Sequence, residues 1–222
     1  SGFKSFLLST DLYPGESTRR LGLADIELTL DYPAYTKLPR KKLSGGSGDV
    51  KALKGTKVTF SARPLERFAN GRLELENGSS FPVSAKDGRI NASFTILGDG
   101  SYRIVESSKD RGSAPFSITA DADAPPSVTI STPGGETIDS GASGRIDIFY
   151  EAADDFGLTE FRLSWEGEEG KSGRVIGRAP DGKASHSGRY VFDTDSVDFG
   201  RGGTIKLRVE AYDNDSISGP KP

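Results

Sequence analysis

Glycine and proline punctuate this chain so densely that a helical fold is closed to it. With Gly 28 and Pro 12 spread through 222 residues, few stretches reach the length of an average helix, since in a helix interior glycine costs about 1 kcal/mol and proline about 3 kcal/mol. The longer uninterrupted stretches carry a period of two. Between Thr204 and Ser218, Ile205, Leu207, Val209 and Ala211 alternate with Lys206, Arg208 and Glu210, which places apolar side chains on one face of a strand and charged ones on the other. The chain therefore reads as all-β, and its length suits two domains of about 100 residues with a short lead-in.

Strand patterns recur at roughly ten-residue spacing, as in a β-sandwich. Ile26, Leu28 and Leu30 alternate with polar residues until Pro33 and Pro39. Further strands are expected at Val50–Leu53, Thr56–Ala62, Gly71–Leu75, Phe81–Ala85, Ile90–Ile96, Ser101–Glu106 and Phe116–Ala120. Tyr102 follows Gly98-Asp99-Gly100-Ser101, a pattern like the tyrosine corner of immunoglobulin folds, in which the hydroxyl bonds to backbone at the strand E–F corner. Pro125-Pro126 mark a linker. Beyond it, Ile146, Ile148 and Tyr150 share one strand face, Phe161, Leu163 and the single tryptophan, Trp165, share another, and the 205–211 strand follows. The expected organisation is a connector over 1–23, a first immunoglobulin-like (fibronectin III-like) sandwich over 24–122, and a second over 123–222. The second runs out of residues before a last strand, so its open edge is expected to be capped by Phe3–Leu12 or by a neighbouring molecule.

Composition removes several classes of function. Interspersed charges with a net of −3 leave no electrostatic footprint for nucleic acid or anionic lipid. The absence of cysteine removes disulfides, thiolate metal sites and thiol nucleophiles. No run reaches the roughly 18 apolar residues of a membrane span, and the absence of methionine reads as an internal fragment or processed product.

Short motifs in both halves carry a resemblance. Tyr32-Pro33-Ala34-Tyr35-Thr36 and Ala52-Leu53-Lys54-Gly55-Thr56 in the first half, with Asp154-Asp155-Phe156-Gly157-Leu158, Ala211-Tyr212-Asp213-Asn214-Asp215 and Gly219-Pro220-Lys221 in the second, resemble a functionally uncharacterised family of large, membrane-anchored bacterial envelope proteins with extracytoplasmic immunoglobulin-like repeats. The resemblance implies an extracytoplasmic (periplasmic-side) location, other envelope proteins as partners, proximity to a chaperone-type ATPase and von Willebrand-type system, and no assigned catalytic residue.

Asp121, Asp123, Asp154, Asp155, Asp213 and Asp215 are expected at one end of the second sandwich. They could ligate calcium, although Asp and Asn in turns bond their own backbone and need no ligand. Lys37, Arg40, Lys41 and Lys42 form a basic run that fits an edge guarded against strand pairing better than an anion site. Gly170-Lys171-Ser172 fails as a phosphate loop because Trp165 stands where glycine is required. His186, the only histidine, is expected in an exposed polar turn. Glu168 and Glu169 read as a hairpin tip, and Asn77, Asn91 and Asn214 as glycosylation triplets without a glycan. No nucleophile, cofactor site or acid–base pair emerges. The expected function is a non-catalytic structural or protein-interaction module. The alternatives are a glycan- or peptidoglycan-binding module using Tyr35, Phe68 and Phe156, and a calcium-stiffened adhesion repeat.

Overall fold

The computed structural model describes residues 20–109, 111–131, 144–167, 172–178, 182–193, 195 and 205–222, and in them the chain is all-β, with one short 3-10 turn and no α-helix. It divides into two compact units, Ser1–Asp31 with Arg40–Asp121, and Tyr32–Pro39 with Ala122–Pro222.

The first unit contains β1 (Leu23–Asp31), β2 (Lys41–Ser44), β3 (Val50–Leu53), β4 (Lys57–Pro64), β5 (Gly71–Leu75), β6 (Ser80–Lys86), β7 (Arg89–Thr95), β8 (Gly100–Glu106), β9 (Arg111–Gly112) and β10 (Phe116–Asp121). Hydrogen bonding follows the path β2-β1-β4-β7-β6-β5-β8-β10-β3, with β9 against β8. β3 runs parallel to β10, whereas the other pairs of named strands are antiparallel. The path folds over at β6, whose residues up to Val83 pair with β5 and whose residues from Ser84 pair with β7. Sheet therefore packs on sheet: Phe60 of β4 and Phe94 of β7 meet Tyr102 of β8 at ring-centroid distances of 5.9 and 4.9 Å. Val58, Leu73, Ile90 and Ile104 complete a dry interior, the outcome that period-two alternation on both layers dictates.

Tyr102 is buried as the sequence implies, but its hydroxyl donates to the Gly48 carbonyl at 2.5 Å rather than to the turn that precedes its own strand. Gly48 adopts φ +101, and a Cβ there would lie 2.6 Å from the Phe116 ring. The loop thus passes over the core closely enough to offer its carbonyl to the phenol, a long-range approach invisible to local pattern.

The second unit contains the 3-10 turn Ala34–Thr36, β11 (Ser127–Ser131), β12 (Arg145–Ala153), β13 (Leu158–Glu166), β14 (Ser172–Arg178), β15 (Ser185–Asp193) and β16 (Lys206–Asp213). The strands form two three-stranded sheets, β11-β12-β15 and β14-β13-β16. Their facing sides bury Ile148, Leu163 and Phe192 in one cluster and Ala152, Leu158, Phe161 and Ala211 in another, with Trp165, Ile205, Leu207 and Val209 half-buried against the first. Both units are layered β structures consistent with sandwiches. Among the described residues no strand follows β16, which pairs with β13 alone. Phe3–Leu12, Glu168, Glu169, Gly170 and Lys171 lie outside the described residues.

His186 corrects one expectation. It sits within β15, half-buried, with its ring 4.9 Å from Phe161 and 6.0 Å from Tyr150. Gly188 and the serines around it disguise this strand as a turn, while register opposite Ala152 on β12 turns the imidazole inward.

Candidate functional site

The densest polar constellation lies in the second unit, where four segments distant in sequence converge. The Tyr32–Thr36 segment is shaped by Thr36, whose hydroxyl donates to the Pro33 carbonyl at 2.8 Å, and Lys37 follows in left-handed geometry. The Asp154–Leu158 turn is tied by Asp154, whose Oδ2 accepts from the Phe156 and Gly157 amides at 2.9 and 2.6 Å. Tyr35 and Phe156 meet edge to face at 5.9 Å. Asn214 links the two turns by donating to the Tyr35 and Phe156 carbonyls at 3.3 and 3.2 Å.

Beneath them, Lys221 collects carboxylates. Its ammonium lies 2.9 Å from Asp215, 3.3 Å from Asp213 and 3.6 Å from Asp123. Asp213 Oδ1 also accepts from the Asp215 and Lys221 amides, and Asp215 Oδ1 accepts from the Ile217 and Ser218 amides at 2.7 and 3.0 Å. Asp213 and Asp215 are thus turn caps with a shared counter-ion, in line with the backbone-bonding habit of aspartate. Asp123 differs. Its side chain is 2 % exposed, and among the described residues neither oxygen meets hydrogen-bond geometry, although the Tyr35 hydroxyl lies close enough to act on it.

Electrostatics follow from this geometry. Burial pushes the Asp123 carboxyl up to about 6, Lys221 opposes the rise, and the charges of Asp155, Asp213 and Asp154 reinforce it. Burial also acts to raise Asp215, but the bond from Lys221 and the Ser218 and Ile217 amides outweigh it and hold that carboxyl below its ordinary value. Lys221 is desolvated, yet bonds to Asp215 and Asp213 keep its ammonium above the usual lysine range. Burial, and then the charges of Asp123 and Asp215, push the Tyr35 phenol well above the ordinary tyrosine value.

Of the acidic residues expected to converge, Asp123, Asp213 and Asp215 do so around an ammonium, and Asp154 and Asp155 lie close enough to act on Asp123. Asp121 instead ends β10 in the first unit, 3.5 Å from Lys51. Among the described residues no three acidic or imidazole groups are arranged to hold a metal ion. Sequence reasoning missed Lys221, Tyr35 and Asn214 as members of this cluster; the only signal was their presence in the short motifs singled out for resemblance.

The aromatic candidates separate. Tyr35 and Phe156 meet edge to face in the second unit, and Phe68 belongs to the first, beside Gly71. Arg40 pairs with Asp31 and Lys42 with Glu27, while Lys41 and Lys42 lie exposed on β2, the terminal strand of its sheet. The basic run is therefore a guarded edge. Lys37 donates to the Gly182 carbonyl at 3.0 Å. Asn77 caps its own turn by accepting from the Ser79 amide at 3.0 Å.

A second buried ion pair, unmarked by any sequence signal, sits in the first unit. Glu106, fully buried, accepts from Arg111 Nε at 2.5 Å and from the Ala69 amide at 3.2 Å, and Arg111 reaches on to Glu66 and the Arg67 carbonyl. Burial works against the Glu106 charge, but Arg111 and the Ala69 amide hold its carboxyl below the usual range.

The chain matches no family model and none of the curated proteins. Among the described residues no helix is long and apolar enough to cross a membrane.

Proposed function

We propose that this chain is a tandem pair of immunoglobulin-like (fibronectin III-like) β-sandwich modules, acting as a non-catalytic structural and protein-interaction part of a membrane-anchored bacterial envelope protein on its extracytoplasmic side. The observation that carries the reading is that each buried carboxylate among the described residues is ion-paired within its own unit. Asp213 and Asp215 are held by turn amides and Lys221, Asp123 by the Lys221 ammonium alone, and Glu106 by Arg111 and the Ala69 amide. An opening of about 470 Å³ in the first unit is lined by Ile26, Leu28, Lys42, Leu43, Ser47 and Asp49. There Lys42 is held by Glu27, while Asp49 accepts from Ser47 and Ser117, so its charged groups are already paired.

The immunoglobulin-like reading is supported in the first unit by the layered path with β3 parallel to β10 and by a buried tyrosine on β8. In the second it is supported by the tryptophan on β13 packed against Phe192. The envelope setting rests on the motif resemblance, three of whose segments, Tyr32–Thr36, Asp154–Leu158 and Ala211–Asp215, are joined by Asn214. A glycan-binding reading is the alternative, and the Tyr35–Phe156 pair is the feature that favours it.

The deciding experiment is cosedimentation with purified peptidoglycan sacculi alongside crosslinking in native envelopes. The interaction-module reading expects no retention on sacculi and discrete protein adducts. Retention that is lost in Tyr35→Ala and Phe156→Ala variants would replace it with glycan binding.

A further inference from the structure

Three buried carboxylates of the second unit share one positive charge. The side chains of Asp213, Asp215 and Asp123 are 0 %, 1 % and 2 % exposed, and their oxygens lie 3.3, 2.9 and 3.6 Å from the Lys221 ammonium. Backbone bonds deliver that ammonium. The Lys221 amide donates to Asp213 Oδ1 at 2.9 Å, and the Asp213 amide donates to the Lys221 carbonyl at 3.2 Å. When all three carboxylates are ionised they outnumber the ammonium, and Asp154 and Asp155 add to the negative field at Asp123. The chain thus seats a cation of its own where the field calls for a stronger one.

Oxygen atoms are in excess there as well. Asp213 and Asp215 spend Oδ1 on backbone amides and turn Oδ2 to Lys221. Asp123 spends neither oxygen on a backbone donor. Both are inaccessible and outside hydrogen-bond geometry, with the ammonium and the Tyr35 hydroxyl as near neighbours. Asp154 Oδ1 and Asn214 Oδ1 are also inaccessible and without a donor, although Asp154 Oδ2 takes two amides and Asn214 Nδ2 serves two carbonyls. Buried oxygens without donors are costly unless a cation takes them. A set of hard oxygens fits calcium, which accepts roughly six to eight such ligands in flexible geometry, better than it fits the softer transition metals. Calcium bonds to oxygen at about 2.3–2.6 Å, closer than these carboxylates stand to the ammonium. With Lys221 in place, no group among the described residues is arranged for a metal.

We propose that Asp123, Asp213 and Asp215 form a calcium-type cage in which the Lys221 ammonium stands in for the metal, so that Lys221 is the residue that makes the second unit independent of calcium.

Lys221→Met in the whole chain tests this, since it keeps the aliphatic stem and removes the charge. Without calcium the variant should unfold at lower urea than the wild type in Trp165 fluorescence, because the carboxylates lose their counter-ion. Calcium chloride at about 10 mM should raise the variant's midpoint by roughly 1 M urea, the shift expected of a site with the affinity of extracellular calcium modules. Equilibrium dialysis should find a single calcium ion on the variant, and the wild type should show neither effect. Adding Asp123→Asn to Lys221→Met should weaken calcium binding at least about ten-fold. A folded Lys221→Met that ignores calcium, an equal shift from sodium chloride at matched ionic strength, or a wild type that binds calcium as tightly as the variant overturns the proposal. If Lys221→Met is unfolded without calcium, refolding on its addition supports the proposal and failure to refold overturns it. Sacculus retention and envelope crosslinking bear only on the module reading, so the two stand or fall separately.

Discussion

Asp123 carries a carboxyl displaced well above its ordinary value by burial. Its folded-state pKa of about 6 lies above the ordinary 3.8, so the protonated form is favoured by folding. The resulting stability is complete below about pH 4 and is lost as pH rises through 6, a difference of roughly 2 kcal/mol once residual solvent contact is allowed for. Asp215, whose carboxyl is held down, contributes the opposite dependence and loses its share as pH falls through its folded pKa. Asp123→Asn should therefore raise the midpoint of Trp165-detected unfolding most at pH 7.5, by roughly half as much at pH 5, and leave it nearly unchanged at pH 3.5, as urea titrations at the three pH values would read. Tyr102→Phe removes the donor to the buried Gly48 carbonyl and should cost about 1–2 kcal/mol in the first unit. Tyr102 was legible as a buried structural residue because a glycine-bounded turn precedes it. Its partner was not, since a hydrogen bond spanning 54 positions leaves no trace in local pattern.

Strands carried by regular alternation were readable nearly to their ends. β3 and β5 match the expected Val50–Leu53 and Gly71–Leu75, β4, β6, β7, β8 and β10 differ from expectation by a residue or two at their ends, and β1, β12, β13 and β16 contain the alternating residues expected of them except Ile205, which lies just before β16. β14 and β15 were not read as strands, because Gly173, Gly177 and Gly188 and a high polar content blur the period, and β11 was not because its alternation of Val128 and Ile130 spans only five residues; pairing to β12 or β13 supplies what propensity lacks. β9, two residues long, sets Arg111 opposite Glu106 on β8. Arg111→Ala should destabilise the first unit by about 3 kcal/mol by leaving a buried carboxylate unpaired, whereas the double change Glu106→Gln, Arg111→Met should recover much of that loss. Because Glu106 is held below the usual carboxylate range, its contribution is present near neutrality and disappears on acidification. A chemical-denaturation comparison at pH 7 and pH 4 should show the single variant's penalty shrinking at the lower pH.

At the scale of the molecule, two units with separate cores call for more than one unfolding event, so a single two-state stability does not describe the chain. The lone tryptophan, Trp165, reports only on the second unit. Tyr102→Phe should accordingly lower a transition seen by far-ultraviolet circular dichroism while leaving the fluorescence midpoint in place, and Leu158→Ala should do the reverse with a loss of about 2–4 kcal/mol. Millimolar calcium should leave both midpoints unchanged, since an ammonium already lies among Asp123, Asp213 and Asp215. A rise in the fluorescence midpoint on adding calcium would revive the adhesion-repeat reading.

The sequence by itself determined the all-β class, the faces that become core and the turns that aspartate and glycine make, because these depend on neighbours one to four positions away. Only the tertiary structure decided that Tyr35, Phe156 and Asn214 meet, that Asp213, Asp215 and Asp123 share the Lys221 ammonium, and that Glu106 is buried against Arg111. Such contacts join residues that chain entropy alone would keep apart, and they form because burying the alternating faces fixes every register at once. The physical reason is the same for β16: its alternation was written in the sequence, but its register against β13 is a property of the assembled sheet.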